Sequence, residues 1–138
     1  MSTTTDSPLQ GDLSNVPLAE IGEEINTIFR AFADSTRLRI LHLLAVDEIC
    51  VGDLVKILQL PQPTVSRHLA YLRKACLVDV RKVGLWSHYS LAPAHSCFQQ
   101  KLYDCLNSCF IDVPELKNDA RRAKQLKESG GCCDEATD

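Results

Sequence analysis

The sequence lacks any segment typical of a signal peptide or a membrane span. Its first 15 residues, MSTTTDSPLQGDLSN, contain neither a basic stretch nor an apolar run, and a secretory signal requires both. No later run approaches the roughly 18 apolar residues that a membrane-spanning helix needs. We therefore expect a cytoplasmic protein with no membrane partner.

The sequence also lacks the excess of positive charge that lets a protein coat nucleic acids without selectivity, since its net charge is −3. The charge is unevenly distributed. Residues 1–26 carry five acidic and no basic side chains, whereas residues 53–88 carry six basic and two acidic ones. The middle of the chain is therefore its basic part, and local fields of this kind steer binding partners.

Catalytic patterns are missing as well. No cysteine opens a helix beside a glycine-rich turn or an arginine cluster, which is the setting that a thiol nucleophile acting on an anion needs. No Ser-His-Asp arrangement is recognisable. We therefore do not expect an enzyme.

The sequence does contain enough apolar material for one modest core, because 45% of its 138 residues are apolar. It also contains seven cysteines. In the absence of a secretory signal, these are expected to remain thiols that serve packing, metal binding or redox chemistry.

The spacing of the apolar residues predicts a mostly α-helical fold with one small β-hairpin. Apolar residues recur at helical spacing in the first, second, fourth and fifth predicted helices, and the sixth is a charged segment that begins at Pro114. Beyond residue 75 the period changes from 3.6 to 2 over the two predicted strands. Pro17 suits the first turn of the first helix, and Ser35 suits the N-cap of the second. Ala92-Pro93 is the predicted start of the fifth helix. The predicted helices cover about residues 17–33, 36–47, 51–59, 62–75, 92–110 and 114–128, and the predicted strands cover 78–83 and 86–91 with a turn through Gly84.

The third and fourth predicted helices, with the hairpin after them, are typical of a winged helix-turn-helix that binds DNA. One face of the fourth helix is expected to pack, and it carries Val65, Leu69, Leu72 and Cys76. The opposite face is free to enter a groove, and the hairpin to reach the flanking backbone or minor groove. His68 lies at the packing edge of this helix, where we expect a partly buried, hydrogen-bonded histidine; the alternative is that it reads a base. The predicted DNA contacts are Gln62, Thr64, Ser66, Arg67, His68, Tyr71, Lys74, Arg81 and Lys82.

Four segments carry a family resemblance: AFADSTRLRILHLL, EICVGDL, LPQPTVSRHLAYLRKACLV and VGLWSHYSL. Together they resemble the ArsR (arsenical-repressor) family of winged-helix transcription regulators over about residues 17–112. The resemblance implies a homodimer, paired mainly through the first and fifth helices. It also implies that this dimer binds a two-fold operator in double-stranded DNA and represses its own resistance operon until an inducer binds.

These observations predict four regions along the chain. Residues 1–15 form a flexible arm, and 16–112 form a winged-helix domain for DNA binding and dimerisation. Residues 113–128 form a C-terminal helix, and 129–138 form a flexible tail that carries two cysteines.

The segment EICVGDLV departs from the best-known arsenic site of the family, which reads ELCVCDLC and supplies thiolates from the third helix. Gly52 and Val55 occupy two of the three cysteine positions, so only Cys50 remains. That three-sulfur site cannot form here, and we assign Cys50 no role from the sequence.

The other sulfur atoms of interest lie towards the C-terminus. Cys97, Cys105 and Cys109 fall on the predicted fifth helix, and Cys132-Cys133 fall in the tail. Thiolates select soft, thiophilic ions, and a pyramidal As(III) or Sb(III) centre bound by three sulfurs needs no histidine. We predict that As(III) or Sb(III) is the inducer and that no cofactor is permanently bound. The predicted ligands are Cys109, Cys132 and Cys133, with Cys105 as the substitute.

Other interpretations of the cysteines stay open. Cysteine also behaves as a small buried hydrophobic residue, so Cys76, Cys97 and Cys105 could serve packing alone, and Cys132-Cys133 could be an exposed pair without function. The signal could instead be thiol oxidation or sulfide, which would make the protein a redox- or sulfide-sensing repressor of the same fold. A metallochaperone could use Cys132-Cys133 but would not need the helix-turn-helix.

Overall fold

The computed structural model describes residues 14–131. These residues form six helices and three strands. The predicted mostly helical fold with a small β-hairpin is confirmed. The predicted arm, residues 1–15, lies almost wholly outside the described range. The elements are α1 (Leu18–Phe32), α2 (Ser35–Leu44), β1 (Ile49–Cys50), α3 (Val51–Leu58), α4 (Gln62–Lys74), β2 (Val78–Val83), β3 (Trp86–Leu91), α5 (Cys97–Ser108) and α6 (Pro114–Glu128).

The hairpin forms at the predicted positions. Strands β2 and β3 are antiparallel, and Val83 pairs with Trp86, which leaves a two-residue turn of Gly84 and Leu85. Gly84 has φ +61°, and glycine at the first turn position is typical of the tight turns that fit twisted hairpins. The wing therefore ends in a short, exposed tip.

Strand β1 is an element that the sequence did not predict. It pairs with the outer side of β3, so that the strand order is β1-β3-β2. Ile49 pairs with Tyr89, and Cys50 pairs with His88. A strand of two residues is too short to show a period of two, but it fixes the chain before α3 to the wing.

The N-cap of α2 is Asp34, and the prediction of Ser35 is wrong by one residue. The Asp34 carboxylate accepts a hydrogen bond from the backbone N–H of Arg37 at 3.0 Å. This bond holds the pKa of Asp34 below its usual value. Ser35 is instead the first residue of the helix.

The start of α5 is also corrected, because Ala92-Pro93 does not begin the helix. The backbone N–H of Ala92 donates to the carbonyl of Leu77 at 2.9 Å. The helix begins at Cys97, where the Ser96 side chain accepts a hydrogen bond from the N–H of Gln99 at 3.0 Å. A serine cap satisfies an otherwise unpaired N–H, which decides the start of the helix.

The core lies between α1–α5 and the sheet. Cys76 does not belong to it, contrary to the prediction that it packs with the apolar face of α4. It is exposed and has φ +64°, because the N–H groups of Cys76 and Leu77 bond to the carbonyls of Arg73 and Leu72 and end the helix. Leu77 takes the buried position and has no exposed surface.

Helix α6 packs against α2 and α3 through a buried carboxylate. Asp119 is fully buried and accepts hydrogen bonds from Nε of Arg39 at 2.8 Å and from Nη2 of Arg122 at 2.8 Å. The same two arginines donate to the carbonyls of Leu58 and Ile57, at 3.1 and 2.7 Å. These carbonyls belong to the last turn of α3, which lacks intrahelical partners. Arg122 of α6 and Arg39 of α2, both held by Asp119, thus supply hydrogen bonds to the end of α3.

Candidate nucleic-acid interface and cysteine sites

The turn between α3 and α4 gives the two helices the geometry of a helix-turn-helix. Helix α3 ends at Leu58, and Gln59 adopts the left-handed conformation that turns the chain. Pro61 is the N-cap of α4, and Pro63 lies in its first turn, where a proline costs no hydrogen bond. Three residues therefore separate the helices.

Helix α4 has one fully buried face. Val65, Leu69 and Leu72 have no exposed surface, as the helical wheel predicted. The opposite face is open to solvent in the monomer. Gln62, Ser66, Arg67, Tyr71 and Lys74 are exposed, whereas Thr64 and His68 are half-buried.

Tyr71 is held by a residue that the sequence did not single out. The guanidinium of Arg37 lies 4.0 Å from the centre of the Tyr71 ring, a cation–π contact. Arg37 also donates to the carbonyls of Ala31 and Arg30, at 3.0 and 2.7 Å. Arg37 thus links the ring of Tyr71 to the end of α1, and this ring lies on the exposed side of α4.

His68 lies beside charges of both signs. Burial lowers its pKa, Asp34 opposes that effect, and Arg37 and Arg67 reinforce it. Its half-buried position agrees with the predicted packing edge of α4.

The wing carries its two basic residues near the tip, and both Arg81 and Lys82 are exposed. Arg81 forms a two-pronged ion pair with Glu48, with nitrogen–oxygen distances of 2.6 and 3.1 Å. This pair holds the pKa of Glu48 below its usual value. Glu48 was not predicted, because the sequence gives no sign that it faces the wing across β1.

On α5 the structure brings together two of the predicted ligands. Cys105 and Cys109 lie one turn apart, and a hydrogen bond between their side chains raises the pKa of Cys105 and lowers that of Cys109. A contact with Ser108 lowers the pKa of Cys109 further. Both cysteines and the exposed Cys97 are free thiols. The predicted ligands Cys132 and Cys133 lie outside the described residues.

Cys50, to which the sequence assigned no role, has a distinct environment. It is the N-cap of α3, where its Sγ accepts a hydrogen bond from the N–H of Asp53 at 3.4 Å. It is 2% exposed and disulfide-bonded. Its capping position was missed because cysteine is not among the residues that usually mark a helix start.

Within residues 14–131, no three His, Cys, Asp or Glu side chains are arranged to hold a metal ion. In the same range, no helix is both long and apolar enough to cross a membrane.

Comparison with known proteins places these features in a family. The pattern of the family described as "Bacterial regulatory protein, arsR family" matches residues 34–80, from the cap of α2 into β2. The arsenical resistance operon repressor of Staphylococcus xylosus is 41% identical over 110 residues, which cover 80% of this chain and 97% of that protein. The protein of the same name from Escherichia coli K12 is 45% identical over 78 residues, covering 56% of this chain and 67% of that protein.

A solved structure gives the same result for the fold. HlyU from Vibrio cholerae N16961 superposes with a TM-score of 0.59 at 31% identity, covering 66% of this chain and 96% of HlyU. The winged arrangement and the identity along nearly the whole S. xylosus protein show that this chain belongs to the ArsR family of bacterial regulatory proteins.

Proposed function

We propose that the protein is a DNA-binding transcriptional repressor of an arsenic-resistance operon, and that As(III) or Sb(III) releases it by binding to cysteine thiolates. The observation that carries the DNA-binding part is the two-sided character of α4, which is fully buried on one side and polar and basic on the other. The choice of a metalloid as inducer is supported by the names of two relatives, which are arsenical resistance operon repressors. No catalytic activity is proposed.

The exposed face of α4 supplies the chemistry for reading DNA. Arg67 can donate two hydrogen bonds to a guanine edge, and Gln62 can pair with an adenine edge. Thr64 and Ser66, near the helix N-terminus, suit phosphate oxygens. Lys82 at the wing tip can bind phosphates of the DNA backbone beside the half-site. Arg81 can do the same only after its ion pair with Glu48 breaks.

A homodimer is supported by apolar residues left exposed on α1 and beyond α5. Leu18, Phe29 and Ile111 are 71%, 50% and 57% exposed. The Phe29 ring meets that of Phe98 edge-on at 5.2 Å, so α1 and α5 form one surface. A second copy on this surface would cover it and present two α4 helices to half-sites about 34–36 Å apart.

The test is fluorescence anisotropy of a labelled fragment of the protein's own promoter, with reduced protein at fixed salt and increasing arsenite. Salt is fixed because phosphate contacts make affinity steeply salt-dependent. Binding followed by release is the expected result. Binding without release would contradict the proposal that arsenite is the inducer. The absence of binding would contradict the proposal that the protein binds an operator in its own promoter.

A pair of variants separates base reading from general charge. Arg67→Ala should weaken operator binding by about 1–3 kcal/mol and relax its sequence preference, because a bidentate base contact is lost. Lys117→Ala removes one exposed positive charge on α6 and should leave operator affinity unchanged at the same salt. Equal effects of the two variants would show that only net charge matters.

Thiol oxidation or sulfide is the alternative signal. The names of the relatives favour arsenic over it. Protein that holds the promoter in arsenite but releases it with a mild oxidant or with sulfide would support the alternative.

A further inference from the structure

The side chain of Arg37 lies in the first turn of α2 and is only 13% exposed. Its Nε and Nη2 atoms donate to the backbone carbonyls of Ala31 and Arg30, at 3.0 and 2.7 Å. Both carbonyls belong to the last turn of α1, where a helix leaves its carbonyl groups without intrahelical partners. The guanidinium of Arg37 is therefore anchored to the end of α1.

Asp34 holds the same arginine at two further points. Its Oδ1 accepts a hydrogen bond from the backbone N–H of Arg37 at 3.0 Å, and its Oδ2 lies 3.9 Å from Nη1. A guanidinium is planar and donates its hydrogen bonds within that plane, which leaves its two faces for stacking. The Tyr71 ring lies against Arg37 at 4.0 Å from the guanidinium carbon. The anchored guanidinium thus gives this ring a fixed platform.

Tyr71 belongs to the basic side of α4. It is 41% exposed, and it lies four residues after Arg67 and three before Lys74, both of which are exposed. Residues three and four apart share one face of a helix. The positive charges on either side of Tyr71 favour an anionic partner at this position.

The place of Tyr71 along α4 indicates which part of the DNA it meets. The N-terminal residues of a recognition helix reach the base edges, and Gln62 is the first residue of α4. Tyr71 is nine residues further on, which is about 14 Å along the helix axis at about 1.5 Å per residue. The major groove is only about 8.5 Å deep and 12 Å wide. Tyr71 should therefore lie at the rim of the groove, where the phosphates are.

On these grounds, and resting on the function proposed above, we propose that Tyr71 donates a hydrogen bond from its hydroxyl group to a DNA phosphate, and that Arg37 is the positioning residue for this contact. Tyrosine is among the residues that bind phosphate oxygens in protein–DNA complexes. Arg37 is too covered, and its donors are too fully used within the protein, to serve as the phosphate ligand itself.

The physical role of Arg37 is to reduce the cost of ordering Tyr71. A free tyrosine side chain on a helix surface loses rotamer freedom when it binds, and this loss weakens binding. A ring that already lies against an anchored guanidinium loses less. Because a phosphate contact fixes position without reading sequence, Arg37 and Tyr71 should affect all half-sites alike.

The test is a double-mutant cycle on the full chain, with Arg37→Lys, Tyr71→Phe and both together. Lysine keeps the charge but lacks the planar group that stacks on the ring and binds both carbonyls of α1. Phenylalanine keeps the ring and removes only the hydroxyl group. Anisotropy of the labelled promoter fragment, without arsenite and at fixed salt, gives the affinities. Denaturant unfolding of each variant gives its stability separately.

Tyr71→Phe should weaken promoter binding by about 10- to 100-fold, because a hydrogen bond to a charged group is lost. Arg37→Lys should weaken it by about 3- to 10-fold, within the range of a cation–π contact. The double variant should bind no more weakly than Tyr71→Phe alone, since Arg37 has no hydroxyl group left to position. Arg121→Lys, the matched exchange on the exposed side of α6, should leave the affinity unchanged.

A merely structural role of Arg37 gives a different pattern. If Arg37 acted only through stability or through the end of α1, Arg37→Lys would weaken wild type and Tyr71→Phe by the same factor. That additive result would overturn the positioning role and leave the proposed function standing. A wild type that does not bind the promoter would overturn both.

A second measurement identifies the DNA group that Tyr71 binds. Methylphosphonates, which lack the phosphate charge, are placed one at a time along the promoter fragment. At one phosphate of each half-site, the substitution should weaken wild-type binding but not that of Tyr71→Phe. If wild type and Tyr71→Phe lose the same affinity at every position, Tyr71 does not bind a phosphate and the assignment is wrong.

Discussion

Cys105 and Cys109 lie one turn apart on the surface of α5, whereas Cys50 is buried where α3, the wing and α6 meet. The surface pair contains free thiols that contact each other, and helical spacing alone reveals it. The environment of Cys50 depends on residues that are distant in sequence, from β3 and α6. Proximity of sulfurs in sequence is therefore a poor guide to which cysteines lie beside α3 and the wing.

The largest expected effect comes from the contact that docks α6 beside Cys50. Asp119→Ala should lower the free energy of unfolding by about 3–5 kcal/mol, because it leaves Arg39 and Arg122 without their buried partner. Thermal and denaturant unfolding measure the change. Asp112→Ala, an exposed carboxylate just before α6, should change stability by less than about 0.5 kcal/mol. Similar small effects for both variants would mean that α6 does not depend on Asp119 for its position.

A smaller change affects only the closing turn of α6. Gly131 has φ +71°, and an added Cβ would lie 3.0 Å from the Asp53 carboxylate. An L-residue in the left-handed region costs about 1–2 kcal/mol, so Gly131→Ala should weaken the closing turn of α6 by about that free energy. Amide hydrogen exchange at the end of α6 measures the change.

The control for this variant is Gly22→Ala on α1, where an added Cβ meets nothing within 4 Å. It should stabilise the helix by about 0.5–1 kcal/mol and leave hydrogen exchange at the end of α6 unchanged. Unchanged hydrogen exchange in Gly131→Ala would show that the left-handed turn at Gly131 does not hold the end of α6.

The parts of the fold that could be predicted are those set by local pattern. Local sequence pattern predicted the ends of α1 to α4 and of α6 to within a few residues of their observed positions. A helical-wheel projection of α4 separated the buried Val65, Leu69 and Leu72 from the exposed face. Local pattern misplaced the start of α5, because Pro93 looks like a first helical residue until the Ser96 cap is seen.

The parts that could not be predicted depend on tertiary contacts. The charged sequence of α6 has the pattern of a solvated helix, and nothing local distinguishes the buried Asp119 from its exposed neighbours. Strand β1 is too short to show a period. The position of Cys50 follows from both features, so local pattern could not place it. Of the predicted cysteine ligands, the described residues contain only Cys105 and Cys109, which lie next to each other as helical spacing predicts.

The smallest effect concerns the surface pair itself. Its hydrogen bonds lower the pKa of Cys109 and raise that of Cys105, so at neutral pH a larger fraction of Cys109 is thiolate, the form that reacts. Iodoacetamide should therefore modify Cys109 several-fold faster than Cys105, as followed by mass spectrometry. Cys105→Ala removes the stronger of these bonds, raises the pKa of Cys109 and slows its modification, whereas Cys97→Ala leaves it unchanged. Well above the ordinary thiol pKa of about 8.5, both cysteines are ionised and the rates should converge. If protein alkylated at Cys109 still releases the promoter with arsenite, Cys109 is not a ligand that the release requires, and the predicted ligand set is wrong at that position.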